Sequence, residues 1–273
     1  MTSIRSILSQ SLLLLTLAIP AHATTTINVG VYNFPPIAQV NANNQATGLL
    51  GDLLDELEAT HPDIRFHVVY TSPKRRYLDY DDGLFDVMFF ESPEWEWEDK
   101  GALISPPILM DEELYVALKK PGRDLSFFDD IAERNIVAMA GYHYGFAGFE
   151  TDNRKLEEKF HIEFSDSHRR NLELIKADRP SVAEVAIISY SYLQRDLAQN
   201  PEDWNRLLIS DRPDQVYKLS VVARPDGPVT ADDMMSLLAP LVANGRYRLL
   251  VEQWGLRLPP GFLGHFPDVP LND

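Results

Sequence analysis

A strand–helix alternation that runs twice along the chain constrains the fold more than any other feature. Thr26 to Val31 alternates apolar and polar residues and is rich in β-branched types, which predicts a strand. Gly48 to Ala59 carries Leu50, Leu53, Leu54 and Leu57 on one face, the spacing of an amphipathic helix. A strand over Phe66–Tyr70, a short helix over Pro73–Tyr80 and a buried strand over Phe85–Phe90 follow. Such a β-α-β-α-β run calls for parallel pairing with helical crossovers.

After a strand at Leu114–Leu118 the rhythm restarts. Strands are expected at Asn135–Met139, His161–Phe164, Val185–Ser189 and Lys218–Ala223. Helices are expected at Thr151–Phe160, Arg169–Ala177, Tyr190–Gln199, Ala231–Asn244 (capped by Thr230) and Tyr247–Trp254. The pattern predicts an α/β protein of two lobes, each a mostly parallel sheet flanked by helices. Two crossings join them, near 110–115 and 213–218. Residues 24–112 and 216–258 would form the first lobe and 113–215 the second, with 259–273 an irregular proline-rich tail.

Residues 1–23 read as a targeting segment. Arg5 gives a positive start, Leu12–Ile19 is an apolar run too short to span a bilayer, and Ala21-His22-Ala23 fits a signal peptidase site. Cleavage after Ala23 would deliver the chain to the periplasm. The sequence has no cysteine, which removes disulfides, thiolate metal sites and a lipid-modified cysteine anchor. The 25 Lys+Arg against 41 Asp+Glu give a net charge of −16, a field that disfavours nucleic acid and anionic membrane as partners.

In open α/β sheets ligands bind beyond the carboxyl ends of the strands. Those ends here are Tyr32–Pro36, Phe90–Ser92, Gly141–Gly145 and Ser189–Tyr190, and aromatic residues dominate them. Tyr32 and Phe34 either line a cleft or pack under Pro35-Pro36. Of the pair Arg75 and Arg76, one is expected in solvent. The other, by preference Arg76, would face the cleft as a hydrogen-bonding cation. Glu91 follows the apolar strand that ends at Phe90 and is either a cleft carboxylate or a solvated loop charge. Alternation in Glu94-Trp95-Glu96-Trp97-Glu98 would put both indoles on one side, with Trp95 placed to stack on a ligand. Tyr142, His143 and Tyr144 lie between Gly141 and Gly145, glycines that permit close backbone approach to a ligand. His143, His161 and His168 lack metal-like spacing, so neither metal nor cofactor is expected.

Several short motifs resemble those of the bacterial extracellular solute-binding proteins of family 3, which have the type II periplasmic-binding-protein fold and serve polar amino acid transporters. They are the Pro35-Pro36 turn, Gly48 with Asp52-Leu53-Leu54, Gly83-x-Phe85-Asp86-Val87, Ser92-Pro93-Glu94, Gly141 with Tyr144, and Gly245-Arg246-Tyr247…Trp254-Gly255. Their order runs through nearly the whole chain after residue 23. The resemblance implies a monomer that closes two lobes on a small molecule for a membrane permease or receptor. It also implies departures. Trp95 stands where the family's carboxylate-binding arginine is usual, and Ser189 where its amine-binding aspartate is usual. A standard α-amino acid is therefore not the expected ligand, since an indole cannot make the bidentate bonds of a guanidinium. Two other classes stay open. One is a periplasmic enzyme on this fold, similar to cyclohexadienyl dehydratase, with Glu91 or His143 as acid or base. The other is an accessory protein that binds no small molecule.

Overall fold

The computed structural model describes residues 24–267; residues 1–23, where a targeting segment is expected, and residues 268–273 lie outside the described residues. Strand β1 (Thr25–Val31) pairs in parallel with β4 (Ile64–Tyr70) along its whole length and with β5 (Val87–Glu91) near its end. Between β1 and β4 lie the two-residue strands β2 (Gln39–Val40) and β3 (Ala46–Thr47) and helix α1 (Leu49–Thr60). Leu50, Leu53, Leu54 and Leu57 of α1 are buried, as their spacing requires, each worth about 1.5–3 kcal/mol of transfer from water. Gly48 opens the helix at φ 84°, where a Cβ would run into the Pro36 carbonyl, so only glycine fits. Helix α2 (Arg76–Asp81) starts three residues later than expected. Pro73–Arg75 forms a turn instead, in which the Ser72 hydroxyl accepts the Arg75 N–H at 3.2 Å.

The connection between the lobes is longer than the sequence suggests. After β6 (Leu103–Ile104), strand β7 spans Leu109–Leu118. The returning strand β11 spans Leu207–Ala223 and pairs with it antiparallel from one lobe into the other. The ladder shifts register on either side of Pro213, which has no N–H to donate and marks the bend between lobes. Asp111, Glu113, Asp211, Arg212 and Gln215 interrupt the apolar pattern here, which is why short-range reading found only the ends of both strands.

In the second lobe, β8 (Ile136–Met139) pairs in parallel with β9 (Ile162–Ser165) and with β10 (Val185–Ser189), and β10 joins β7 antiparallel. The resulting order is β4-β1-β5-β11-β7-β10-β8-β9, with β6 added beside β11. Helices α3 (Asn153–Lys159), α4 (His168–Lys176) and α5 (Tyr190–Gln199) connect these strands. Leu172, Ile175, Leu193 and Leu197 from α4 and α5 meet Val116, Val137, Ala186 and Ile188 in one core cluster.

The chain then returns to the first lobe. Helix α6 (Ala231–Ala243) opens on a reciprocal capping box between Thr230 and Asp233, and α7 (Arg246–Gln253) follows. The tail is not featureless. Phe262 begins a 3₁₀ turn, is 3 % exposed and stacks on Tyr247 at 5.5 Å.

Candidate functional site

The segments that follow β1, β4, β5 and β8 converge between the lobes, and the Ser189–Tyr190 end of β10 does not join them. On the first lobe, β1 runs into Tyr32–Pro36, where the Pro35–Pro36 peptide is cis. Strand β5 ends in a bulge: Phe89 faces Val221 and Glu91 faces Ser220, leaving Phe90 as the extra residue at φ 64°. A buried aromatic residue rarely adopts that region, and it does so here beside Glu91.

Glu91 is fully buried and organises this half of the site. Its Oε2 accepts from Arg76 Nε at 3.0 Å and from Trp97 Nε1 at 2.6 Å. Arg76 is 1 % exposed, donates further to Tyr77 Oη at 2.6 Å and to the Pro73 carbonyl, and lies 5.1 Å from the Tyr32 ring and 5.9 Å from the Trp95 ring. Burial pushes the Glu91 carboxyl up, against the opposing pull of Arg76, Trp97 and Tyr32. Burial acts most strongly on the Arg76 guanidinium and lowers it, but Glu91, Tyr32 and Tyr77 together outweigh burial and the net shift is upward. The two side chains meet at 3.0 Å as a buried ion pair. Arg75, its neighbour, points to solvent and pairs with Asp79 at 2.9 Å.

The two tryptophans do not share a side. Glu96 between them has φ 64°, which breaks the alternation. Trp97 turns into the first lobe against Tyr77 and Tyr80, at 5.1 and 5.2 Å. Trp95 faces the cleft.

The second lobe supplies Gly141, Tyr142 and His143. Gly141 sits at φ 78°, and a Cβ on it would lie 2.9 Å from Lys74 and 3.1 Å from Pro73, so the loop touches the first lobe at this residue. Tyr142 meets Phe34 edge-on at 5.6 Å and donates to the Asn33 carbonyl at 3.3 Å. The His143 ring lies against Trp95, with centroids 5.7 Å apart and planes 10° from parallel. Its carbonyl accepts from Gln215 Nε2 and its own Nε2 is buried without a hydrogen-bond partner. Burial first, then Arg76, pushes its pKa down to about 3.

Tyr32, Arg76, Trp95, Gly141, Tyr142, His143 and Pro73 thus enclose one chamber of about 10 Å³, the room of a single water. Phe34 and Glu91 lie immediately behind it. Other candidates fall elsewhere. Tyr144 folds back into its own lobe, accepting from Met139 N at 2.6 Å and donating to Met139 O at 3.2 Å. Ser189 is buried at the base of α5 beside His168 Nε2, at 3.4 Å. Tyr190 lies under Arg257 on the far side of the hinge, at 5.6 Å, and Phe90 packs inside the first lobe.

Tyr217, which sequence reasoning missed, packs on Trp95 at 5.2 Å and on Phe34 at 5.8 Å. It sits in the expected crossing at 213–218, and an aromatic residue in a hinge that borders a cleft was the available signal. Pro73 and Glu113 were missed as well. Glu113 is fully buried on β7, takes a weak bond from Gln215 at 3.4 Å, and is pushed up mainly by burial. Among the described residues no group of three His, Asp or Glu side chains is placed to hold a metal, and no helix is long and apolar enough to cross a membrane.

Two lobes joined by paired crossing strands, with loops of both meeting at one chamber, define the type II periplasmic-binding-protein fold, and this chain has it. Solved structures bear this out at 15–17 % identity. A histidine-bound ABC transporter substrate-binding protein from Streptococcus pneumoniae superposes with a TM-score of 0.64, at 16 % identity, over 84 % of this chain and 92 % of the other. A histidine kinase sensor domain similar to periplasmic binding proteins gives 0.64, at 15 % identity, over 86 % and 99 %. An ancestral amino acid-binding protein, a precursor of cyclohexadienyl dehydratase, gives 0.59, at 17 % identity, over 84 % and 94 %. No family model matches the sequence, and no curated protein does.

Proposed function

We propose that this protein is a periplasmic solute-binding protein that captures a small molecule in the Trp95 cleft by hinge closure and presents the closed form to a membrane permease or receptor. The carrying observation is the convergence of Tyr32, Arg76 and Trp95 from one lobe with Gly141, Tyr142 and His143 from the other on one chamber. A ligand held by both sets favours the closed form through the contacts it adds there, and through nothing else. The lobes are assigned as 24–112 with 216–258, and 113–215, and the working unit as a monomer. The transport and sensor roles named for the structural neighbours fit the same motion.

A binder is favoured over an enzyme of this fold by the state of the lining. Among the described residues that enclose the chamber, His143 is the side chain whose ordinary pKa lies nearest neutrality, and its shift to about 3 removes it from useful proton transfer there. Turnover of prephenate or arogenate by the purified protein would reverse this preference. Binding itself is tested by thermal denaturation against a broad metabolite library. A saturable rise in Tm with a small molecule, abolished by Trp95→Ala, is expected. No rise with any compound would favour the accessory-protein alternative.

A further inference from the structure

The His143–Trp95 stack says more about the solute than the chamber's present size does. The two rings come from opposite lobes, lie 10° from parallel and are both nearly excluded from water. Trp95 is held edge-on by Tyr217 and Phe34, so its orientation is fixed and the face toward the second lobe is the one offered. The imidazole on that face is poorly satisfied. Its Nε2 is buried with no hydrogen-bond partner, a standing cost that most buried polar atoms avoid. It is carried on a loop that begins at Gly141.

We infer that His143 occupies, in the closed chain, the place of a ligand ring on Trp95, and that the solute is a small planar ring with a hydrogen-bond-accepting edge. This rests on the reading of the cleft as a solute site. Only about 10 Å³ remains beside the imidazole, so a solute reaches the indole face by displacing that ring. Planarity follows from the stacked geometry, since a puckered ring loses the face-to-face contact. The accepting edge follows from the floor, where Arg76 supplies N–H donors and no carboxylate borders the chamber. Glu91 stands behind Arg76, its Oε2 already taken by Arg76 and Trp97.

The test is replacement of the ring. His143→Ala in the full chain is titrated with pyrazole, a flat, neutral five-membered ring, and with tetrahydrofuran, a saturated ring of the same size, while Tm and tryptophan fluorescence are followed. Pyrazole should raise Tm and change the fluorescence saturably, at concentrations about tenfold below those needed with the wild-type chain, and tetrahydrofuran should do neither. His143→Phe, which keeps a ring on the indole, should respond like the wild type. Equal responses of His143→Ala and wild type, equal responses to both compounds, or none at all would overturn the inference. If His143→Ala does not melt cooperatively, the comparison is made on the wild type, where pyrazole should still outperform tetrahydrofuran and equal effects overturn it. A non-planar solute found bound to the wild type would sink the ring inference and leave solute binding standing.

Discussion

Arg76 and Glu91 meet at 3.0 Å with essentially no solvent on either side chain, and the cleft wall of the first lobe is assembled around that pair. Two charges taken out of water are costly, and the cost is offset only while each has the other. Removing one partner by Arg76→Met or Glu91→Gln should therefore destabilise the protein by about 3–5 kcal/mol in urea unfolding. The double variant Arg76→Met/Glu91→Gln should lose clearly less than the two single losses together, because no uncompensated charge is left. Additive losses would show that the pair contributes nothing as a pair.

Two buried groups give pH signatures of opposite sign. Burial pushes His168 from 6.5 down to about 3, so it is neutral when folded and takes up a proton on unfolding in mild acid. Its contribution is complete above about 6.5 and is lost as pH falls toward 3. The stability of the wild type relative to His168→Gln should thus decline over that window.

Asp111 behaves in the other direction. Burial raises it from 3.8 to about 6, against the bonds it accepts from Ser191 N and Oγ at 3.2 and 2.5 Å. The folded chain holds this proton more tightly, so the associated stability is present below about 3.8 and disappears as pH rises through about 6. Relative to Asp111→Asn, the wild type should weaken between pH 4 and 6 and change no further above that. Chemical denaturation of each variant alongside the wild type isolates the two trends.

The proposed closure would engage a contact distant from the chamber. The Arg195 guanidinium on α5 lies 4.4 Å over the ring of Trp254 from the other lobe, and the indole is fixed by its bond to Asp52 at 2.8 Å. A partly exposed cation–π contact is worth about 0.5–1 kcal/mol. Arg195→Ala should shift the open–closed balance about two- to fivefold toward open, seen as a larger radius of gyration in solution scattering.

Much of the scaffold can be read from the chain because β/α units announce themselves locally. Leu50, Leu53, Leu54 and Leu57 declare a helix face, and Thr230 declares where α6 begins. The hinge does not. Asp111 and Glu113 look like loop residues and become buried strand residues only because β11 lies alongside them. Trp97 and Tyr144 are aromatic residues beside true cleft residues, and what separates them is backbone and local bonding. The left-handed Glu96 sends Trp97 inward, and the Tyr144 hydroxyl is drawn back to Met139. Sequence spacing carries neither fact. Tyr217 was hidden for the same reason as the hinge strand that bears it.

The tail gives a further check. Phe262 lies against Tyr247 and Phe266, and Tyr247 donates to the Ile108 carbonyl at 2.9 Å just before β7. Phe262→Ala should cost about 3–5 kcal/mol by thermal or chemical unfolding, a loss that an unpacked tail would not show.

Capture of a small solute against Trp95 should be visible by native mass spectrometry of the protein isolated from its own cell envelope. The wild type should carry a non-covalent small-molecule adduct that is released on denaturation and is missing from Trp95→Ala. An adduct retained undiminished by Trp95→Ala, or a wild-type protein that carries and accepts no solute, would contradict it.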